Sequence, residues 1–377
     1  MTLLELVTDA LSKVNDPELR HPITELGMIE DLSEVSGSVS LKVLLTIAAC
    51  PMQDRLRTDI SNAVTSVEGV KSVDLVFGVM NEEQRNFVKK VVRGGREKFI
   101  PFAQPDSLTR VIGIASGKGG VGKSTVSVNM ALGLAQKGYK VGLIDADLYG
   151  PSIPTMLGLK GQRPKVKLLY GQNKLEPLKA HGIYTISIGF IIEPEQAVVL
   201  RGPRLGGIIK QFINDCLWPE LDFLVIDLPP GTGDIQLTLV QTIPVTGVVM
   251  VTTPQDVAVI DAVKAMNMFQ LDNVKVPILG VVENMAWFTP AELPENKYMI
   301  FGEGGGHKLA ELALTEVIGQ IPLVQAVREG GDQGKPIITQ MDHPARHYFV
   351  SSTENLIKQV EKRNKDKKAT TVVKMVN

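Results

Sequence analysis

Apolar runs separated by turn-rich segments dominate the chain from residue 107 onward. Val111 to Ala115, Lys140 to Ile144, Ile183 to Ile188, Phe223 to Ile226, Val245 to Val251, Val276 to Val282 and Val317 to Ile321 each predict a strand. Several of these runs are continuously apolar, the pattern of a parallel strand buried on both faces. Lys123 to Gln136, Gln255 to Phe269 and a final stretch from His343 to Lys362 read as helices. Over residues 107–362 the expected fold class is therefore α/β, an open, mainly parallel sheet with helices on both faces.

The first 80 residues read differently. Thr2 and Glu5 form a capping box beside Leu3, Leu6, Val7, Ala10, Leu11 and Val14 at helical spacing, and this helix should stop near Asp16-Pro17. Val39, Leu41, Val43, Leu45 and Ile47 alternate with mostly small or polar neighbours, as a half-buried strand does. A second helix from about Asp54 to Val67 leads through Gly69 into a strand from Val73 to Phe77. Residues 1–80 are thus expected to form a small α/β domain. Residues 81–106 should link it to the larger one, through a mixed helical stretch from Glu82 to Arg93 and then glycine and proline. The polar, turn-rich segment 160–180 is uninformative. Residues 363–377, with Arg363, Lys365, Lys367, Lys368 and Lys374, predict a basic, solvated, flexible tail.

The chemistry is concentrated where the first strand of the large domain meets its first helix. Gly117, Lys118, Gly119, Gly120, Val121, Gly122, Lys123, Ser124 and Thr125 stand at that junction, and Gly117 to Ser124 fit the pattern Gly-x-x-x-x-Gly-Lys-Ser/Thr at every required position. A strand, a glycine-rich turn and a helix in that order present main-chain N–H groups at a helix N-terminus, a cradle for a nucleotide's β- and γ-phosphates. In that geometry Lys123 reaches the terminal phosphates and the Ser124 hydroxyl binds magnesium.

Acidic residues follow at the ends of later strands, the ligand-binding rim of an open parallel sheet. Asp145 is expected near the metal and Asp147 at the attacking water, although the two roles could be exchanged. Gly150 to Pro154 continues as a loop able to respond to the nucleotide. Asp227 ends a buried strand and is the expected acidic partner of Ser124 at the magnesium ion. Pro229 to Gly233 reads as a nucleotide-sensing loop, with Gly231 offering an N–H to the γ-phosphate, and Asp234 as the cap of the next helix. Asn284 is placed to read a base edge, and a loop from Pro322 to Asp332 to close over adenine and ribose. Arg201 and Arg204 could serve a phosphate, a subunit contact or only the surface.

Composition narrows the partners. A net charge of -1 over 377 residues creates no global field for nucleic acid or membrane, and 5% aromatic content argues against a base-stacking platform. Two cysteines exclude a disulfide scaffold and a four-cysteine zinc site within one chain, so a reducing compartment, the cytoplasm, is expected. The N-terminus lacks the basic and apolar regions of a signal peptide, and no apolar run reaches the ~18 residues of a membrane helix.

Cys50, followed by Pro51-Met52, lies at the expected end of a strand, where a thiol could meet a metal or a partner thiol or could simply be buried. The stretches Asn15 to Leu19, Glu25 to Ile29 and Thr46 to Pro51 resemble the small domain of the MIP18 family of iron–sulfur assembly proteins. That resemblance implies a role for Cys50 in handling an iron–sulfur cluster. Cys216, within Phe212 to Trp218, reads as packing.

Lys118, directly after the first glycine of the phosphate loop, resembles the signature of the deviant phosphate-loop ATPases, among them nitrogenase iron protein and the cell-division and partition ATPases. In that class the early lysine reaches the partner's nucleotide in a dimer closed around ATP. Asp145 to Ser152, Asp227 to Asp234 and Val282 to Met285 are together similar to the Mrp/Nbp35 family of iron–sulfur cluster carrier ATPases, and the resemblance covers nearly the whole chain. It implies ATP and Mg2+ as cofactors, a homodimer, catalytic roles for Lys118, Lys123, Asp145 and Asp147, and apoprotein acceptors or scaffold proteins as partners. Most members carry a Cys-x-x-Cys pair after the Glu-Asn-Met segment, two of which hold a 4Fe-4S cluster between subunits. This chain has Trp287 to Tyr298 there, without a cysteine. The expected function is an ATP-hydrolysing carrier or assembly factor for iron–sulfur clusters. The alternatives are an ATP-switched scaffold without a stable cluster and a partition or positioning ATPase.

Overall fold

The computed structural model describes residues 2–47, 52–92, 102, 107–147, 150–169, 172–191, 202–290 and 292–366. The chain divides into two compact units, residues 1–99 and 100–377.

The first unit runs α1 (Leu3–Ser12), β1 (Ile29–Val35), β2 (Ser38–Leu45), α2 (Gln53–Thr65), β3 (Ser72–Val79) and α3 (Glu82–Val92). Its sheet has the order β1-β2-β3, with β2 antiparallel to β1 and parallel to β3. The Thr2 hydroxyl and the Glu5 carboxylate cap α1 reciprocally. That helix closes at Ser12, short of Asp16, whose carboxylate instead accepts from the N–H groups of Glu18 and Leu19. Val7 and Leu11 of α1 and Leu56, Ile60 and Val64 of α2 bury themselves against Val39, Leu41 and Val43, and Val88 of α3 joins this core. The strand ends at Leu45, leaving Ile47 exposed. Strand β1 has no counterpart in the sequence reading. A bulge between Glu30 and Ser33 interrupts its alternation, and a two-residue turn, Ser36-Gly37 at φ 53° and 89°, joins it to β2.

The second unit opens with β4 (Arg110–Ser116), α4 (Lys123–Gln136), β5 (Val141–Asp145) and α5 (Ile153–Met156), and continues through the short strands β6 (Val166–Leu169), β7 (Gln172–Leu175) and β8 (Leu178–Ala180) to β9 (Ile183–Ser187). Then come α6 (Gly202–Asn214), β10 (Phe223–Asp227), α7 (Asp234–Val240), β11 (Gly247–Thr252), α8 (Asp256–Gln270), β12 (Ile278–Phe288), α9 (Gly305–Leu312), β13 (Val317–Leu323), α10 (Gln325–Asp332) and α11 (Arg346–Asp366). An eight-stranded sheet orders them β13-β12-β11-β4-β10-β5-β9-β8, parallel throughout except for β8. Successive residues of β10 face opposite layers. Leu224 and Ile226 pack with Ile209, Phe212 and Ala262, whereas Phe223 and Val225 pack with Val128, Phe349 and Leu356. Both faces are thus covered, as continuously apolar strands require. From β4 the chain goes first to β5 and β9 on one side, returns to insert β10 between β4 and β5, and then adds β11, β12 and β13 on the other side. The crevice at the carboxyl end of β4 is therefore a topological switch point.

Several sequence expectations change in detail. Segment 160–180 contains β6, β7 and β8. Strand β12 continues to Phe288, beyond Val282, and α11 continues to Asp366, beyond Lys362. Pro322 to Asp332 is the end of β13 followed by α10 rather than a loop. Among the described residues no helix is long and apolar enough to cross a membrane.

Candidate functional site

The phosphate loop is shaped by contacts that only glycine permits. Gly120 and Gly122 have φ of 81° and 82°, where a Cβ is strained. A Cβ on Gly117 would sit 2.1 Å from the Ala262 nitrogen of α8, and one on Gly122 would sit 2.1 Å from Asn284 Nδ2. A Cβ at Gly119 or Gly120 would meet nothing within 4 Å beyond its chain neighbours, which leaves that side of the cradle open. Gly122 caps α4, so the first turn of that helix, Lys123, Ser124 and Thr125, points its N–H groups into the cradle. The side chain of Lys118 is half-buried, and its carbonyl accepts from the Ser116 hydroxyl at 3.0 Å. Val121 is buried, and its carbonyl accepts from Asn284 Nδ2 at 2.9 Å.

The parallel register places Asp227 opposite Ile114 on one side and opposite Asp145 on the other, so β4, β10 and β5 end together. Lys123 Nζ, only 6% exposed, lies 2.9 Å from Asp227 Oδ1 and 3.6 Å from Asp147 Oδ2. Ser124 Oγ donates to Asp227 Oδ2 at 2.6 Å. Fully buried Asp145 accepts from the Ser187 hydroxyl at 2.9 Å and from the Asp147 N–H at 3.2 Å. Burial, reinforced by the neighbouring charge of Asp227, raises the Asp145 carboxyl to about 8. The structure therefore brings Lys123, Ser124, Asp145, Asp147 and Asp227 into one cluster.

A cavity of about 420 Å3 opens beside this cluster, lined in part by Gly122, Thr125, Asn284, Met285, Val327 and Asp332. It contains Asn284 and residues of α10, the segment expected near the base. Asn284 holds the phosphate loop through its amide nitrogen. Gly231, at φ 85°, donates its N–H to Ser116 O at 2.8 Å, so in this conformation the donor is engaged by the end of β4, directly before the phosphate loop. The cap of α7 is Gly233, with Asp234 as the first helical residue, a correction of one position.

Three polar residues near the site were not singled out from the sequence. Ser127 Oγ lies 2.6 Å from Asp227 Oδ1, and its position one turn beyond Lys123 on the same helix was a usable signal. Ser187 and Gln236 reach the site only through the packing of β9 against β5 and of α7 beneath the 229–233 loop.

Magnesium fits the donors present: a serine hydroxyl and a carboxylate oxygen 2.6 Å apart are hard oxygen ligands beside a second buried carboxyl. Among the described residues there is no group of three or more His, Cys, Asp or Glu able to hold a metal ion. Cys216 is buried in the core, which pushes its thiol up to about 12. Cys50, Arg201 and the side chain of Arg204 lie outside the described residues.

Residues 107–360 match the family described as NUBPL iron-transfer P-loop NTPase, and residues 4–75 match the iron-sulfur cluster assembly protein family. The iron-sulfur cluster carrier protein of Synechocystis sp. is 44% identical over 346 residues, covering 92% of this chain and 94% of the relative. The protein of the same description from Deinococcus radiodurans is 46% identical over 336 residues, covering 89% and 88%. Among solved structures, a nucleotide-binding protein from Archaeoglobus fulgidus in complex with ADP is 35% identical, with a TM-score of 0.56 over 67% of this chain and 97% of that one.

Proposed function

We infer the role of this protein from the premise that the chain belongs to the iron-transfer P-loop NTPase family of iron–sulfur cluster carrier proteins, with an N-terminal iron–sulfur assembly domain. It is an ATP-binding, ATP-hydrolysing carrier or assembly ATPase for iron–sulfur clusters. The observation that carries this reading is the junction of Lys123, Ser124, Asp147 and Asp227 at the carboxyl ends of β4, β5 and β10.

ATP binds with its phosphates along Gly117 to Thr125 and its base toward the cavity that Asn284 lines. Ser124 and Asp227 hold magnesium, which when bound neutralises phosphate charge. Lys123 exchanges Asp227 for the β- and γ-phosphate oxygens, and Ser127 keeps the Asp227 carboxylate oriented as the lysine leaves. Asp147, at the rim beside Lys123, orients the attacking water and draws off its proton. The water oxygen bonds to the γ-phosphorus as the bond to the β–γ bridging oxygen breaks, and ADP departs with that electron pair. Gly231 follows the presence of the γ-phosphate, and Lys118 of a second copy completes the charge neutralisation in a homodimer.

Apoprotein acceptors, or the scaffolds that load them, are the partners, and the cytoplasm is the place of action. Cys50 is the proposed contact with the cluster. The absence of cysteine between Ala286 and Tyr298, together with the buried thiol of Cys216, favours as a second reading an ATP-switched scaffold that holds no cluster stably.

ATP hydrolysis by the wild type and by Lys123→Ala and Asp147→Asn tests the enzyme. Both variants should lose turnover at least about a hundredfold, Asp147→Asn with nucleotide binding retained; wild-type turnover in either variant refutes its assigned role. Anaerobic reconstitution with iron and sulfide tests the cargo. About four irons per dimer, lost in Cys50→Ser and kept in Cys216→Ser, is expected for a carrier; no cluster in the wild type moves the reading to the scaffold.

A further inference from the structure

The 229–233 loop is braced by one buried side chain that the mechanism above does not use. Gln236, 1% exposed on the first turn of α7, donates through Nε2 to Pro229 O at 3.0 Å and to Gly231 O at 3.0 Å. Its Oε1 accepts from the Gly233 N–H at 3.0 Å. A single carboxamide thus satisfies three main-chain groups of a five-residue loop. These bonds leave one peptide unbraced. Pro229 O belongs to the peptide between residues 229 and 230, and Gly231 O to the peptide between 231 and 232. The peptide between them, joining Pro230 to Gly231, is held instead by its N–H on Ser116 O at 2.8 Å.

The two dihedrals that flank this peptide are the ψ of Pro230 and the φ of Gly231. Proline fixes its own φ but not its ψ, and glycine accepts φ of either sign, so the peptide can turn over with its neighbours anchored. Gly231 now stands at φ 85°, and a Cβ there would meet no atom closer than 3.8 Å. Glycine is thus required by the dihedral rather than by crowding.

We propose that Gln236 is a positioning residue that confines nucleotide sensing to the turning of the Pro230–Gly231 peptide, whose N–H passes from Ser116 O to the γ-phosphate. This rests on the reading of Gly231 as the γ-phosphate sensor. The brace fixes both ends of the moving unit, so formation of the phosphate contact orders little else, and ADP, which lacks the γ-phosphate, does not draw on it. Without the brace, the Pro229 and Gly231 carbonyls lose their partner and the loop must be ordered anew each time ATP binds.

The test measures affinities for ADP and for a non-hydrolysable ATP analogue, with magnesium, in the full-length wild type, Gln236→Leu and Gln236→Glu. Gln236→Leu keeps the volume and removes all three bonds; Gln236→Glu keeps the acceptor for Gly233 and loses both donated bonds. The expected result is ADP affinity within about twofold of wild type, while the preference for the analogue over ADP falls about tenfold in both variants, the worth of roughly one hydrogen bond. An unchanged preference overturns the proposal. So does a parallel loss of both affinities, which marks a merely structural residue. A wild type with no preference for the analogue over ADP counts against Gly231 as the γ-phosphate sensor, whereas a wild-type preference that persists in both variants counts against Gln236 alone.

Discussion

Replacing Gly122 by alanine perturbs the phosphate loop through two separable terms. The first is conformational: at φ 82° an L-residue is disfavoured by roughly 1–2 kcal/mol. The second is steric, because the new Cβ would lie 2.1 Å from Asn284 Nδ2 and must push away the amide that donates to Val121 O at 2.9 Å. Leaving that buried carbonyl unpaired costs about 1–3 kcal/mol. Gly122→Ala should therefore destabilise the second unit by about 2–5 kcal/mol, and Asn284→Ala, which removes the same hydrogen bond without strain, by about 1–3 kcal/mol. The double variant carries the strain and one lost hydrogen bond, not two. It should thus fall short of the sum of the single variants by about 1–3 kcal/mol. Urea unfolding followed by tryptophan fluorescence reports on the right unit, since the chain's 2 tryptophans, Trp218 and Trp287, both lie in it. Additivity within about 0.5 kcal/mol would refute the claim that Gly122 is required by the packing of Asn284, and leave only the backbone term.

Asp145, raised to about 8 by burial, favours its neutral form in the folded state, so its contribution to stability is full below the unfolded value near 3.8 and is lost as pH rises through about 8. In nucleotide-free, magnesium-free protein the melting temperature should fall less between pH 5 and pH 8.5 in Asp145→Asn than in wild type, and parallel curves would contradict the assignment. Ser127→Ala removes the hydroxyl 2.6 Å from Asp227 Oδ1 and should raise the magnesium concentration for half-maximal ATP turnover about tenfold, since hydrogen bonds to charged groups are worth about 1.5–3 kcal/mol; an unchanged magnesium dependence excludes that positioning role. Cys216, with its thiol at about 12 and its side chain in the core, should resist iodoacetamide in native protein at pH 8 and react after denaturation, as peptide mass mapping would show. Rapid native labelling would mean that the α6–β10 connection opens readily.

The sequence alone determined the features that depend on local order along the chain. Glycines between an apolar strand and a helix sufficed to announce the phosphate loop, because helix N-termini and left-handed turns are set by neighbours in sequence. Continuous apolar runs foretold the sheet covered on both faces, and the Thr2–Glu5 capping box was legible for the same local reason. What failed locally was β1, whose polar composition and bulge hide its period, and the short strands between 160 and 180. Strand order was decided only by the tertiary structure. Nothing local says that β10 lies between β4 and β5, yet that placement sets Asp227 beside Asp145 and within reach of Lys123 and Ser124. The same holds for Ser187 on Asp145, for Asn284 on the phosphate loop, and for the engagement of the Gly231 N–H by Ser116, contacts between residues 42, 163 and 115 positions apart. The type of chemistry is written in residues close in sequence; its geometry and its buried, shifted carboxyl arise from side-by-side packing of strands distant in sequence.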